Sequence, residues 1–107
     1  LRTIPGMTIM SPKDENELRR LLATAVGHDG PTALRYPRGN GVGVELDAEL
    51  RPIEIGKAEL LRQGSDICFI GFGPVVQHCL AAAARLEKEF GLSSTVVNAR
   101  FAKPLDE

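Results

Sequence analysis

Apolar and polar positions follow two rhythms along the 107 residues. Residues 7–10, "MTIM", are a brief apolar run that predicts a strand. Leu18, Leu21, Leu22 and Ala25 then recur at helical spacing, one apolar stripe on a helix within "SPKDENELRRLLATAVG". Ser11 is the expected N-cap, and Pro12 suits the first helical position. Asp14, Glu15 and Glu17 complement the positive end of the helix dipole, so the acids of "KDENE" read most simply as a helix-start cluster. Gly27, or the "HDG" after it, stops the helix. "TALRY" resumes as a strand until Pro37, which has no amide donor and keeps Tyr36 extended. The first unit reads as strand, helix, strand.

Residues 39–56, "GNGVGVELDAELRPIEIG", break this pattern with glycines, a proline and acids in no sustained period. They read as a linker with short extended pieces near Val42 to Leu46 and Pro52 to Ile55. "KAELLRQGSDICFIGFG" then predicts two strands joined by a turn at Gln63 to Ser65. The second, "ICFIGF", is almost wholly apolar, as a strand covered on both faces would be. "PVVQHCLAAAARLEKEF" predicts a helix led by Pro74, with a stripe through Val76, Cys79, Leu80, Ala83 and Leu86, stopped by Gly91. "STVVNARF" is a further strand. Each α/β piece is smaller than an apolar core normally supports, and such units need further parallel neighbours. The expectation is the tail of one α/β domain followed by the head of another, with both chain ends cutting through a longer polypeptide.

Composition narrows the function classes. With 43% hydrophobic and 25% charged residues and a net charge of -1, the balance is that of a globular protein. There is no basic excess to neutralise a nucleic acid or a membrane surface. No apolar run approaches the ~20 residues of a membrane span. Cys68 and Cys79 are too few for a disulfide framework or metal knuckle and read as small buried hydrophobes.

Candidate chemistry centres on "ALRYPRGN", residues 33–40. Ligands of open parallel sheets gather beyond the carboxyl ends of the strands, which is where Arg38 falls. A guanidinium there suits bidentate capture of a phosphate or carboxylate, and equally suits a structural ion pair. Arg35 reads as the partner of an acid in its own layer, and Tyr36 as a packing residue with a hydrogen-bonded hydroxyl. "GFGPVV" lacks the third glycine of a dinucleotide fingerprint and reads as a tight strand-to-helix turn. "GNGVG" precedes no helix and carries no Lys-Ser/Thr pair, so it is not a phosphate loop. His28 sits in a turn and His78 early in a helix, with neither a nucleophile nor a metal set around them.

Four segments, "IPGMTIMSPKDENELRRLL", "GPTALRYPRGN", "IGKAELL" and "VVNARFAKPLDE", in this order and spacing resemble the 1-deoxy-D-xylulose-5-phosphate synthases. These form a thiamine-diphosphate-dependent family of the transketolase group. The resemblance covers essentially the whole chain. It implies an α/β architecture of two partial transketolase-type domains with mostly parallel sheets. Residues 1–39 would end the pyrimidine-binding domain, 40–56 would be the linker, and 57–107 would begin the C-terminal domain. The implied reaction condenses pyruvate with glyceraldehyde 3-phosphate and releases carbon dioxide, in a homodimer that is cytoplasmic in bacteria or plastidic in plants. Arg38 is implied to hold the sugar-phosphate group, while thiamine diphosphate and Mg would bind outside this segment, which alone would be inactive. The second half would also suit a 2-oxoacid dehydrogenase beta subunit or another transketolase-type enzyme. A stand-alone α/β interaction module is the non-catalytic alternative; an upstream Gly-Asp-Gly motif would separate it from the enzyme readings.

Overall fold

Asp14, rather than Ser11, caps the first helix: its side chain accepts the Glu17 N–H at 2.8 Å. The computed structural model describes residues 1–107. It orders them as β1 (Thr8–Met10), α1 (Glu15–Gly27), β2 (Thr32–Leu34), β3 (Glu59–Arg62), β4 (Ile67–Gly71), α2 (Val75–Phe90), β5 (Ser94–Asn98) and β6 (Phe101–Lys103). Ser11 is displaced from the cap because it turns back to the sheet, its Oγ donating to the Arg35 carbonyl at 2.9 Å. Pro12 thereby lies ahead of the helix rather than at its first position. At the far end of α2, Gly91 adopts φ 68° and closes the helix as its position in the sequence predicts. No helix is long and apolar enough to cross a membrane.

Two three-stranded sheets result, ordered β2-β1-β6 and β3-β5-β4. β1 runs parallel to β2 and β4 parallel to β5, whereas β1–β6 and β3–β5 are antiparallel. The architecture is α/β, with mixed sheets. β3 and β4 are consecutive in sequence but do not pair, because β5 inserts between them. The segment "STVVNARF" is not one strand: Arg100 has a left-handed φ of 55° and splits it into β5 and β6. A non-glycine residue there costs about 1–2 kcal/mol. The turn sends β6 into the first sheet, against β1.

That crossing fuses the halves. The apolar cluster at this junction is Met10 of β1, Leu21 of α1, Ile53 of the linker and Phe101 of β6, with Ala25, Leu34 and Ile55 packed against it, while Val76, Ala83 and Val96 are buried between α2 and the second sheet. A second close approach lies at Gly73 (φ 75°), where an added Cβ would fall on Ser11 Oγ. The "GFG" segment is therefore a tight turn, pressed on the β1–α1 connection.

The linker has no strands at 42–46 or 52–55. Its backbone is held instead by polar side chains of α1. Asn16 and Asp47 bond reciprocally at 2.9 and 3.0 Å, Arg20 Nε donates to the Arg51 carbonyl at 2.9 Å, and Thr24 Oγ1 accepts the Ile53 N–H at 2.7 Å. The buried residues of α1 are accordingly Glu17, Leu21 and Thr24, while Leu22 of the expected stripe is 53% exposed. The stripe is rotated because two polar residues on it have buried partners.

The apolar strand β4 is covered on one face only. α2 packs on one side of the second sheet; on the other, Leu60, Val97 and Ile70 stand side by side across three strands, with Ile70 73% exposed. Within this segment Cys68 shares that open face and is exposed, and Cys79 is half-buried.

Candidate functional site

The carboxyl ends of β1 and β2 lie side by side because the two strands are parallel and in register, Met10 opposite Leu34. The chain leaves β1 through Ser11–Lys13 into α1 and leaves β2 through Arg35–Asn40. Between these connections lies a cleft of about 320 Å³, lined by Lys13, Glu15, Tyr36, Pro37, Gly39 and Val42 among others. Arg38 stands in this rim, exposed, between two lining residues and without being one itself. It makes no hydrogen bond and no ion pair, and the residues on either side, 36 through 41, make none either. Tyr36 is 65% exposed with its hydroxyl unbonded, and Arg35, also exposed, finds no acid; both expectations for these residues fail. β2 is the edge of its sheet: Arg35 still donates its N–H to the Met10 carbonyl, and Tyr36 is the first residue past that ladder.

Glu15 closes the far side of the cleft. Its carboxylate accepts the N–H groups of Val42 (3.1 Å), Gly43 (2.6 Å) and Val44 (3.0 Å). "GNGVG" is thus a nest of amides filled by an acid of the same chain.

Behind the cleft sits a buried ionic cluster that sequence reading did not assemble. Glu17, whose side chain is 3% exposed, receives Arg100 Nε at 2.6 Å and both Asn98 Nδ2 contacts at 2.9 and 3.0 Å. Its other oxygen accepts the Lys13 backbone N–H at 2.7 Å. Glu59 joins through Lys13 Nζ (2.7 Å), Arg100 Nη2 (3.0 Å) and Asn98 Nδ2 (3.2 Å). Asn98 Oδ1 accepts the Arg100 N–H, holding the left-handed turn. The available signal was positional: 17, 21 and 24 share a helix face as i, i+4 and i+7. The partners lie up to 83 residues away and carry no local trace.

Burial pushes the Glu59 carboxyl up, but the bond and charge of Lys13, the charge of Arg100 and the Asn98 amide outweigh it and hold it below its usual 4.5. A depressed carboxylate stabilises the fold above its unfolded pKa, and that contribution is lost as pH falls through the folded value. Glu59→Gln is expected to lower the melting temperature by a constant amount above pH 5 and by a shrinking amount below pH 4.5. Parallel melting curves for the two proteins down to pH 3 would contradict the assignment.

His28 caps α1 with its ring 3.5 Å from Thr8 Oγ1, and His78 is exposed on α2; neither meets a nucleophile. No three His, Cys, Asp or Glu side chains converge as a metal-ligand set.

Comparison with known proteins sets this geometry in a family. Residues 1–42 match the family described as "Transketolase, pyrimidine binding domain", and residues 56–107 match "Transketolase, C-terminal domain". The chain is 58% identical over 106 residues to 1-deoxy-D-xylulose-5-phosphate synthase 1 of Geobacter sulfurreducens, covering 99% of this chain and 16% of that protein. It is 55% identical over 108 residues to the 1-deoxy-D-xylulose-5-phosphate synthase of Synechococcus elongatus, covering 100% of this chain and 17% of that protein. The chain thus spans about one-sixth of the length of the curated relatives it matches. Among solved structures, a split-gene transketolase described as an inactive beta4 tetramer superposes with TM-score 0.79 at 26% identity, over 98% of this chain and 34% of that one. A Pichia stipitis transketolase variant in complex with fructose 6-phosphate has the same fold, at TM-score 0.70 and 21% identity, over 94% of this chain and 15% of that one. Two successive family matches, relatives more than half identical along the full chain, and a shared fold place it together: the chain belongs to the transketolase family.

Proposed function

We propose that this chain is a segment of a 1-deoxy-D-xylulose-5-phosphate synthase, which joins pyruvate to glyceraldehyde 3-phosphate with loss of carbon dioxide. The observation that carries this reading is 53–58% identity to synthases of that name over 99% of the chain. Residues 1–39 would be the end of the pyrimidine-binding domain, 40–56 the connection, and 57–107 the start of the C-terminal domain. Thiamine diphosphate is the cofactor of this reading and Mg its metal, in a homodimer of the complete polypeptide. In this reading the cofactor's site would lie in polypeptide beyond this segment. The split-gene relative described as inactive is consistent with such a division.

Arg38 is the residue of this segment that meets the substrate. It projects, free of any acid, from the rim where two parallel strands end. A planar, permanently charged fork in that place suits the dianionic phosphate of the aldehyde acceptor. The test is turnover by a polypeptide of the relatives' length that carries this segment, supplied with thiamine diphosphate, Mg, pyruvate and glyceraldehyde 3-phosphate. One carbon dioxide released per five-carbon keto phosphate formed is the expected result. Transfer of the acyl unit to a dithiolane acceptor instead, with no aldehyde addition, would assign the segment to a dehydrogenase subunit.

A further inference from the structure

Arg38 is carried by a span without ties of its own. Upstream, the chain is fastened at Arg35, whose N–H donates to the Met10 carbonyl (2.9 Å) and whose carbonyl accepts Ser11 Oγ (2.9 Å). Residues 36–41 then make no hydrogen bond. The next fastening is the grip of Glu15 on three consecutive amides, Val42, Gly43 and Val44. Beyond it, residues 45 and 46 are again free until the Asp47 N–H meets Asn16 at 3.0 Å.

We propose that Glu15 is a positioning residue for Arg38: by anchoring the downstream end of its loop on α1, it fixes where the guanidinium waits for the phosphate. This rests on the phosphate-binding role of Arg38. An acid placed only for the helix dipole would interact with the first turn of its own helix. Glu15 also places both oxygens on a loop nearly thirty positions away, and Gly43, at φ 85°, shapes that loop so that successive amides converge. Its own backbone N–H lowers the carboxyl's pKa, opposed by burial and joined by the amides of Gly43, Val42 and Val44. The anchor is therefore charged throughout the neutral range.

Without Glu15 the untied span grows from residues 36–41 to residues 36–46. A longer tether spreads the guanidinium over more volume and lowers its effective concentration at the phosphate. The carboxylate does not touch Arg38, so only steps that use the guanidinium should respond.

The experiment compares Glu15→Ala, Glu15→Gln, Arg38→Ala and the Glu15→Ala/Arg38→Ala double variant in the complete enzyme. Each is assayed at saturating pyruvate with glyceraldehyde 3-phosphate and with unphosphorylated glyceraldehyde, alongside melting temperatures. Glu15→Ala should raise KM for the phosphorylated aldehyde roughly three- to tenfold with kcat little changed, and leave kcat/KM for glyceraldehyde in place. Glu15→Gln should fall between, since its remaining carbonyl oxygen still accepts the Gly43 and Val44 amides. In the Arg38→Ala background the Glu15 effect should vanish, the signature of residues acting through one contact. An equal loss with both aldehydes, or a lower melting temperature with preference intact, would make Glu15 purely structural and overturn the inference. If Arg38→Ala alone leaves the preference unchanged, the phosphate role of Arg38 fails and takes this inference with it. If Arg38→Ala abolishes the preference while Glu15→Ala does not touch it, only the positioning role fails.

Discussion

Glu17→Ala is expected to destabilise the fold by about 3–5 kcal/mol, the usual cost of removing one partner from a buried ion pair. The carboxylate is 3% exposed and holds Arg100, Asn98 and the Lys13 amide at once. Removing it strands a guanidinium that is 11% exposed and leaves it only Glu59. It also releases the turn at Arg100, whose left-handed backbone directs β6 onto β1. Glu17→Gln keeps the volume and one acceptor and should cost about 1–3 kcal/mol. By contrast, Glu49→Ala breaks a pair 76% and 72% exposed on its two sides and should change stability by less than about 1 kcal/mol. Urea denaturation of the complete polypeptide reads all three, and hydrogen exchange at the β1 and β6 amides localises the loss. A Glu17→Ala cost as small as that of Glu49→Ala would show that water already screens the cluster.

Arg38→Ala should have the opposite profile, a large kinetic effect without a stability effect. Each charge-assisted bond to the acceptor phosphate is worth about 1.5–3 kcal/mol, so KM for glyceraldehyde 3-phosphate should rise roughly ten- to hundredfold. KM for pyruvate, which has no phosphate, should hold. Arg38→Lys should recover part of the loss, having the charge without the planar fork. Arg38 bonds to nothing in the fold and is exposed, so the melting temperature should not move. An unchanged KM for the aldehyde phosphate would remove Arg38 from the site, and a fall in stability would return it to a structural ion pair.

The two residues illustrate what each level of description can reach. The place of Arg38 beyond a strand end was legible because its cue is local: a strand, a proline that follows it, a glycine after, all within "ALRYPRGN". Glu17 carries the same local cue as Glu15, an acid in a first helical turn, and was read as no more than that. The tertiary fold gives them different work. One enters a buried cluster with residues of β3 and β5 and the turn before β6, the other grips a loop on the opposite side of the helix start. The apolar strand "ICFIGF" has a composition that fits cover on both faces, and within this segment one of those faces is covered.

By itself the sequence determined the units: strand–helix–strand, a break in pattern at 39–56, a second α/β unit, the glycine stop of α2 and the family likeness. These are set by neighbouring residues, through periodicity, backbone restriction and capping, whose range is a few positions. Only the tertiary structure decided that Arg100 bends the last strand into the first sheet, that α1 stitches the irregular segment down with Glu15, Asn16, Arg20 and Thr24, and that Glu17 meets Arg100 across 83 positions. Polar groups choose partners by proximity in the folded chain and by the cost of leaving them unpaired away from water. That cost exists only once the chain has closed around them.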